Sequence, residues 1–184
     1  MPNCKLIAVL RSPIDRTVSA YFHYMAAGFL PIEDIETGLP KLLNRFDLNR
    51  PDRIHDVLSF SLYGQALKRW LGFYSRDQIQ IVLFEELKNN PIDVIRSTFR
   101  FCDVRDDIEI PPPQGKPMAS IYSLTRLRLK NVWVKPRLRE SEGFVFRTNA
   151  QNWSEHTRTA ISHGLDRYVW SHLFNRRPPT LSTA

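Results

Sequence analysis

The feature that most constrains the fold is the segment at residues 5–21, which reads Lys-Leu-Ile-Ala-Val-Leu-Arg-Ser-Pro-Ile-Asp-Arg-Thr-Val-Ser-Ala-Tyr. Its first part is a short apolar run of the kind that forms a buried strand. Ser12 has the side chain of a helix N-cap, and Pro13 suits the first position of a helix. The segment therefore predicts a strand, a tight turn and a helix that extends from Pro13 to about Ala27.

Two polar side chains of this segment are placed where a ligand could reach them. Arg11 falls at the end of the strand, at the edge of the sheet where open α/β folds bind ligands. Ser19 follows about two helical turns later, on the polar side of the helix. The two residues are the first candidates for a binding site.

The segment resembles the 3′-phosphate-binding motif of sulfotransferases that use 3′-phosphoadenosine 5′-phosphosulfate. The family pattern is a strand, Leu-Arg-(Asn/Asp/Ser)-Pro, two variable residues, Arg-Ala, one residue, Ser, one residue and Tyr. The chain matches it from Leu10 to Tyr21, with Thr17 in place of the usual alanine. The resemblance implies that Arg11 and Ser19 hold the 3′-phosphate, which suits a bidentate guanidinium and a hydroxyl donor. The alternative is a well-capped surface helix with Arg11 in a salt bridge.

A second stretch extends the resemblance. Residues 59–74 have the apolar spacing of a helix, residues 79–84 read as a buried strand, and Asn-Asn-Pro at 89–91 starts another helix. The order of this helix, the strand, Glu-Glu-Leu, a polar pair and proline is also that of sulfotransferases. We interpret Glu85 and Glu86 as carboxylates at a strand end that cap the next helix or pair with a nearby arginine, rather than as acid–base catalysts.

The resemblance implies a three-layer α/β fold, with a central, mostly parallel sheet flanked by helices, in the P-loop NTPase-like form of sulfotransferases. Residues 1–175 are expected to form a single partial domain, and residues 176–184 a flexible tail. A further helix is predicted from Ser154 to about Phe174. The implied co-substrate is 3′-phosphoadenosine 5′-phosphosulfate, the implied acceptor carries a hydroxyl or an amine, and no metal is implied.

Residues 116–147 contain eight lysines or arginines and two glutamates, within a chain whose net charge is +7. In the resembling family a late basic loop or helix start closes over the nucleotide, which makes Lys116 and Arg126 candidates for that role. A basic helix that covers the sheet is an equal alternative. Trp133 among these cations also permits a nucleic-acid patch, but no recognisable nucleic-acid-binding motif supports one.

One element of the family pattern is missing from the sequence. Sulfotransferases normally begin with a strand and a loop, Lys-x-Gly-(Thr/Ser)-(Thr/Ser), whose amides and lysine hold the 5′-phosphosulfate. The chain has no glycine before Gly28, and Lys5 is the only lysine in its first forty residues. We therefore expect an N-terminally truncated domain without its first βα unit, and the sequence assigns neither the catalytic base nor the acceptor.

Composition places outer limits on the function. The 184 residues are enough for one domain with its own core, and the basic charge suits a polyanionic ligand. No apolar run has the length of a membrane span and no signal peptide is evident, so a cytoplasmic protein is expected. Cys4 and Cys102 are expected to be small buried thiols. Three functions stay open: sulfuryl transfer, binding of 3′-phosphorylated adenosine nucleotides by an inactive remnant, and nucleic-acid binding by a basic module.

Overall fold

The computed structural model describes residues 4–46, 56–111, 121–133, 138–141, 144–147, 165–174 and 178–179. The chain divides into two compact units. The first unit comprises residues 1–16 and 62–117, and the second comprises residues 17–61 and 118–184. The single domain over residues 1–175 and the flexible tail after it stay predictions.

Among the described residues, four α-helices separate the first two strands, and a strand pair follows the later helices. In chain order they are β1 (Leu6–Leu10), α1 (Pro13–Ala27), α2 (Ile35–Asn44), α3 (Asp56–Ser59), α4 (Tyr63–Leu71), β2 (Ile79–Leu83), α5 (Phe84–Asn89), α6 (Pro91–Phe101), α7 (Leu124–Trp133), β3 (Leu138–Ser141) and β4 (Phe144–Arg147). A π-helical segment (Asp166–Trp170) and a short helix (Ser171–Leu173) follow.

The first unit is built on a parallel pair of strands. β1 and β2 lie in register from Leu6 opposite Ile79 to Leu10 opposite Leu83. Parallel strands need a long crossover connection, so this pairing agrees with the α/β class predicted from the sequence. Helix α6 packs beside β2, where the Gln80 side-chain amide donates to the Ser97 hydroxyl at 3.0 Å.

Lys5 joins the start of β1 to the end of α6. Its ammonium group donates to the Phe101 carbonyl at 2.5 Å and to the Asp103 carboxylate. A lysine that donates to the last carbonyls of a helix satisfies acceptors that have no partner within the helix. The contact therefore fixes α6 against the sheet at the amino ends of the strands.

Part of the apolar surface of the first unit is exposed. Residues in register on parallel strands project to the same side of a sheet, so Ile7 and Val9 share one face while Ile81 and Leu83 share the other. All four are more than one-third exposed. Helix α4 has no buried residue, and Trp70 is 49% exposed. The strands that the sequence predicts to be buried are therefore buried only in part, at Ile79 and Val82, because apolar spacing does not reveal which element covers a face.

The second unit contains the main hydrophobic core of the described residues. Helix α1 crosses into this unit at Thr17, and its bounds confirm the sequence prediction. The core is formed by apolar side chains of α1, α2, α3 and α7 together with Leu30, namely Val18, Tyr21, Phe22, Met25, Leu30, Ile35, Leu39, Leu42, Val57 and Leu127. Ile14, in the first turn of α1, is 61% exposed and lies outside this core.

Other elements differ from the sequence predictions in their bounds. The helix predicted over 59–74 is shorter than expected: α4 covers only Tyr63–Leu71, Ser59 is the last residue of α3, and residues 60–62 are not helical. β3 pairs with β4 as an antiparallel hairpin that the sequence analysis missed. Only the last part of the helix predicted from Ser154 is described, and its predicted start lies outside the described residues. Cys4 and Cys102 are half-buried rather than buried. Among the described helices, none combines the length and apolar character needed to cross a bilayer.

We expect Gly38→Ala to lower the free energy of unfolding by about 1 kcal/mol. A β-carbon at Gly38 would lie 1.8 Å from the Tyr21 hydroxyl oxygen and 2.9 Å from Cγ of Glu33. Overpacking such a contact costs about 1–3 kcal/mol, which exceeds the roughly 1 kcal/mol that alanine gains in helix propensity. Urea unfolding followed by circular dichroism measures the difference.

Tyr21→Phe provides the matched background for that experiment. The Tyr21 hydroxyl is buried and has no hydrogen-bond partner among the described residues. Burial, with the Glu33 and Asp34 carboxylates nearby, raises the pKa of Tyr21 to about 12, so the phenol stays neutral. Removing its oxygen should recover part of the loss caused by Gly38→Ala. An unchanged stability of the Gly38→Ala single variant would contradict the packing described for α2.

Candidate functional site

The candidate site is the corner between the end of β1 and the start of α1, formed by Arg11 and Ser12. The Ser12 hydroxyl accepts the Asp15 backbone N–H at a long 3.5 Å, and the Ser12 carbonyl accepts the Arg16 N–H at 2.9 Å. Pro13 occupies the first helical position, where a missing N–H has no cost. These contacts confirm the strand, turn and capped helix predicted from the sequence.

Glu85, which follows β2, supports this corner from the neighbouring strand. Its Oε1 accepts the Ser12 backbone N–H at 3.0 Å. In a capping box, an acid three residues after the cap makes this contact. Asp15 holds that position in the sequence, but it is Glu85 that accepts the Ser12 N–H. Glu85 thus has a structural contact, but the helix whose start it contacts is α1 rather than the next helix along the chain, which the sequence suggested.

The hydrogen bond from the Ser12 amide is the main cause that lowers the pKa of Glu85. The Glu85 backbone amide and the positive charge of Arg11 lower the pKa further, while partial desolvation opposes them. A carboxyl group whose pKa is lower in the folded state contributes stability that is complete above its unfolded pKa of about 4.3. That contribution is lost as the pH falls through the folded-state pKa.

We therefore expect Glu85→Gln to lower the melting temperature at pH 7, and the difference from wild type to shrink as the pH falls below about 4. Calorimetric melting at a series of pH values measures this. Glu86→Gln is the matched control, because no described group donates a hydrogen bond to the Glu86 side chain. A Glu85→Gln difference that stays constant down to the acid range would show that the carboxylate charge does not stabilise the corner.

Arg11 lies against an aromatic ring. Its guanidinium carbon is 5.4 Å from the centroid of the Phe84 ring, a cation–π distance. Among the described residues, no carboxylate lies within 4.0 Å of the guanidinium, so the salt bridge considered as the alternative reading is not found there. The Arg11 guanidinium is half-buried and contacts a ring face rather than a carboxylate, so its N–H donors can bind an anion.

The helical part of the family motif lies in the second unit. Ser19 is a half-buried residue of α1, and its role with Arg11 at a phosphate stays a prediction. Thr17, the departure from the family pattern, is buried and its hydroxyl lies 2.8 Å from the Ser61 hydroxyl. The motif tyrosine, Tyr21, is 1% exposed and belongs to the core. Two positions of the motif therefore serve packing of the second unit.

Arg126 on α7 forms a bidentate ion pair with Asp166. The Nε–Oδ1 distance is 2.5 Å and the Nη2–Oδ2 distance is 3.0 Å. The two side chains are only 14% and 12% exposed. A bidentate pair occupies much of the guanidinium fork, which favours a structural role for Arg126. Its closure over a nucleotide stays a prediction, and Lys116 lies outside the described residues.

A cavity of about 320 Å³ lies at the other end of β2. Its lining includes Arg76, Asp77, Gln80 and Phe101. Because Arg11 follows the carboxyl end of β1 and the strands are parallel, this cavity is not part of the corner. In the part of the chain that the structure describes, no three histidine, cysteine or acidic side chains are grouped as metal ligands.

Comparison with known proteins shows the family to which the chain belongs. Residues 1–173 match the model of the sulfotransferase domain family. The chain is 28% identical over 113 residues to a bifunctional heparan sulfate N-deacetylase/N-sulfotransferase of Drosophila melanogaster, and 30% identical over 112 residues to the human heparan sulfate N-deacetylase/N-sulfotransferase 2. These matches cover 57% and 56% of this chain but only 10% and 12% of the two relatives.

A solved structure gives the same family. The chain is similar to a sulfotransferase from Alicyclobacillus acidocaldarius, with a TM-score of 0.51 and 26% sequence identity. The match covers 71% of this chain and 50% of that structure, so the chain spans half of its solved relative. Together with the parallel strands, this confirms the α/β fold of the sulfotransferase type. The chain belongs to the sulfotransferase domain family.

Proposed function

We propose that this chain takes part in sulfuryl transfer from 3′-phosphoadenosine 5′-phosphosulfate, and that Arg11 and Ser19 hold the 3′-phosphate of that nucleotide. The observation that carries the proposal is the position of Arg11. Its guanidinium follows β1 at the carboxyl edge of a parallel sheet, against the Phe84 ring and without a carboxylate partner among the described residues. Anionic ligands bind at this edge in open α/β folds.

The proposed reaction moves one group between two oxygens or from oxygen to nitrogen. The acceptor atom attacks sulfur, and the bond between sulfur and the bridging oxygen of the 5′-phosphate breaks. The electron pair of that bond leaves with the phosphate as adenosine 3′,5′-bisphosphate, and the acceptor proton passes to a base. By analogy with phosphoryl transfer, the protein contributes mainly position and charge stabilisation. Arg11 would fix the donor by its 3′-phosphate, away from the bonds that change.

The acceptor class is proposed from the relatives. Their names describe N-sulfotransferases that act on heparan sulfate. The net charge of +7 suits a polyanionic acceptor, because a basic surface attracts a charged polymer over a long range. An amine on an acidic polysaccharide is therefore the first acceptor to test, ahead of a simple hydroxyl compound.

The test is transfer of radioactive sulfate from labelled 3′-phosphoadenosine 5′-phosphosulfate to N-desulfated heparan sulfate, with the N-acetylated polymer as the control. We expect label to enter the free-amine polymer and to depend on Arg11. Binding of the nucleotide without transfer would instead favour the alternative of a nucleotide-binding remnant. If the chain neither transfers sulfate nor distinguishes a 3′-phosphorylated nucleotide from adenosine 5′-monophosphate, the proposal fails.

A further inference from the structure

We propose that Glu85 and Phe84 are positioning residues for the 3′-phosphate site: Phe84 orients the Arg11 guanidinium, and Glu85 fixes the turn that carries it. This inference rests on the proposed function. It extends that function to two residues that never touch the nucleotide and act through Arg11 and Ser12.

The register of β1 and β2 brings Arg11 and Phe84 together at the end of the sheet. Leu10 lies opposite Leu83 in the last pair of β1 and β2. The residues that follow the two strands are Arg11 after β1 and Phe84 after β2. The Arg11 guanidinium carbon lies 5.4 Å from the centroid of the Phe84 ring, which is the cation–π contact. Beyond the last backbone pair of the two strands, the side chains of Phe84 and Arg11 are thus in contact. Phe84 is the first residue of α5, and it supports Arg11, which follows β1.

The contact with Phe84 restricts where the guanidinium can go. An arginine side chain has many rotamers, and each phosphate contact must overcome the entropy of fixing one of them. Phe84 is 41% exposed, and its ring gives the guanidinium a flat surface on which to lie. A side chain held in this way loses less entropy when a phosphate binds.

The second contact joins the next residue after each of these two, Ser12 and Glu85. Glu85 accepts the backbone N–H of Ser12 at 3.0 Å, which ties the residue after Arg11 to the neighbouring strand. The amide at the start of α1 is thereby occupied by a protein group. The Ser12 amide is therefore not available to a phosphate at the corner, and the Arg11 guanidinium is the charged donor there.

The charge of Glu85 does not itself favour a phosphate, since two anions repel. If Glu85 acts on nucleotide binding through position, the hydrogen bond to Ser12 determines the affinity for the phosphate, whereas the negative charge contributes only to the stability of the fold. Glu85→Gln keeps an acceptor oxygen, whereas Glu85→Ala removes it. The two variants therefore separate geometry from charge.

The experiment is calorimetric binding of adenosine 3′,5′-bisphosphate and of adenosine 5′-monophosphate to the full chain. We expect Glu85→Ala to weaken binding of the bisphosphate about three- to tenfold, with little change for the monophosphate. Phe84→Leu should weaken bisphosphate binding about two- to fivefold. Glu85→Gln should bind the bisphosphate at least as well as wild type, within about twofold.

Two variants serve as matched controls. Glu86→Ala removes the adjacent carboxylate, and Phe73→Leu removes a phenyl ring that is 79% exposed, in the same unit as Phe84. Neither should change the ratio of the two affinities. A merely structural role of Glu85 would lower the melting temperature without changing this ratio, so thermal melting of every variant is measured beside binding.

The outcomes distinguish this inference from the proposed function. If wild type prefers the bisphosphate and Arg11→Ala removes the preference, but Glu85→Ala and Phe84→Leu keep it, the positioning role is overturned and the function stands. If wild type shows no preference, both fall. Should Glu85→Ala fail to fold, Phe84→Leu still decides the role of the ring. Glu85→Gln keeps the oxygen that accepts the Ser12 N–H. If this variant lost the preference for the bisphosphate, the positioning role of Glu85 would be overturned.

Discussion

Asp166→Ala is expected to lower the free energy of unfolding by about 3 kcal/mol, because it leaves a largely buried guanidinium without its partner. Arg126 and Asp166 form a bidentate pair in which the side chains are 14% and 12% exposed. Removing one member of such a pair costs far more than removing one member of an exposed pair. Denaturant unfolding followed by tryptophan fluorescence measures the loss.

The chain contains a matched exposed pair for comparison. Arg105 and Asp107 lie 2.8 Å apart, with side chains 78% and 71% exposed. Asp107→Ala should therefore cost less than about 1 kcal/mol. Equal effects of the Asp107 and Asp166 substitutions would contradict the buried position of the Arg126 pair.

Substitutions in the Arg126–Asp166 pair also test whether Arg126 contributes to nucleotide binding. The double variant Arg126→Met with Asp166→Leu replaces both charges by apolar groups and should recover much of the stability lost by Asp166→Ala. We expect it to bind adenosine 3′,5′-bisphosphate as wild type does. A large loss of affinity in a stably folded double variant would instead support the closing role that the family resemblance implies for Arg126.

Arg11→Ala should weaken binding of adenosine 3′,5′-bisphosphate about 100-fold, while binding of adenosine 5′-monophosphate changes by less than about threefold. The reason is that a bidentate guanidinium–phosphate contact is lost only for the nucleotide that has a 3′-phosphate. Arg11→Lys should fall between wild type and alanine, since a lysine keeps the charge but lacks the planar fork. Calorimetry gives both affinities.

Arg100 offers the control for this prediction, because it lies in the same unit and its side chain is 67% exposed. Arg100→Ala should leave both affinities unchanged. If Arg11→Ala weakened both nucleotides equally, and if high salt removed the effect, Arg11 would act as a general surface charge. That result would favour the basic-module alternative.

The local part of the site could be predicted from the sequence. The helix cap at Ser12, the proline at the first helical position and the extent of α1 all follow from side-chain chemistry within one turn of the chain. The parallel placement of β1 and β2 agrees with the alternation of short apolar runs and helices. Arg11 at the end of β1 needed no long-range information.

The long-range part of the site could not be predicted from the same patterns. Glu85 lies 73 residues from Ser12, and Asp166 lies 40 residues from Arg126. Each carboxylate has many hydrogen-bond donors within reach in an unfolded chain, so only the folded structure selects its partner. The exposure of Trp70 is a similar case, because its spacing shows that one face of α4 is apolar but not what packs on it.

The hairpin of β3 and β4 was missed for another reason. The run Phe144-Val145-Phe146 follows Glu142-Gly143, and a glycine between two short runs is a known hairpin signal. The high density of lysine and arginine from residue 116 onward favoured a basic helix instead. The signal was present, and the basic residues around it outweighed it.

The most direct test of the account is a double-mutant cycle of Arg11→Ala and Ser19→Ala on binding of adenosine 3′,5′-bisphosphate. Two groups that hold the same phosphate are energetically coupled, so we expect the combined loss to differ from the sum of the single losses by about 1 kcal/mol or more. With adenosine 5′-monophosphate the coupling should vanish. Losses for the bisphosphate that add to within about 0.5 kcal/mol would show that Arg11 and Ser19 do not share a phosphate.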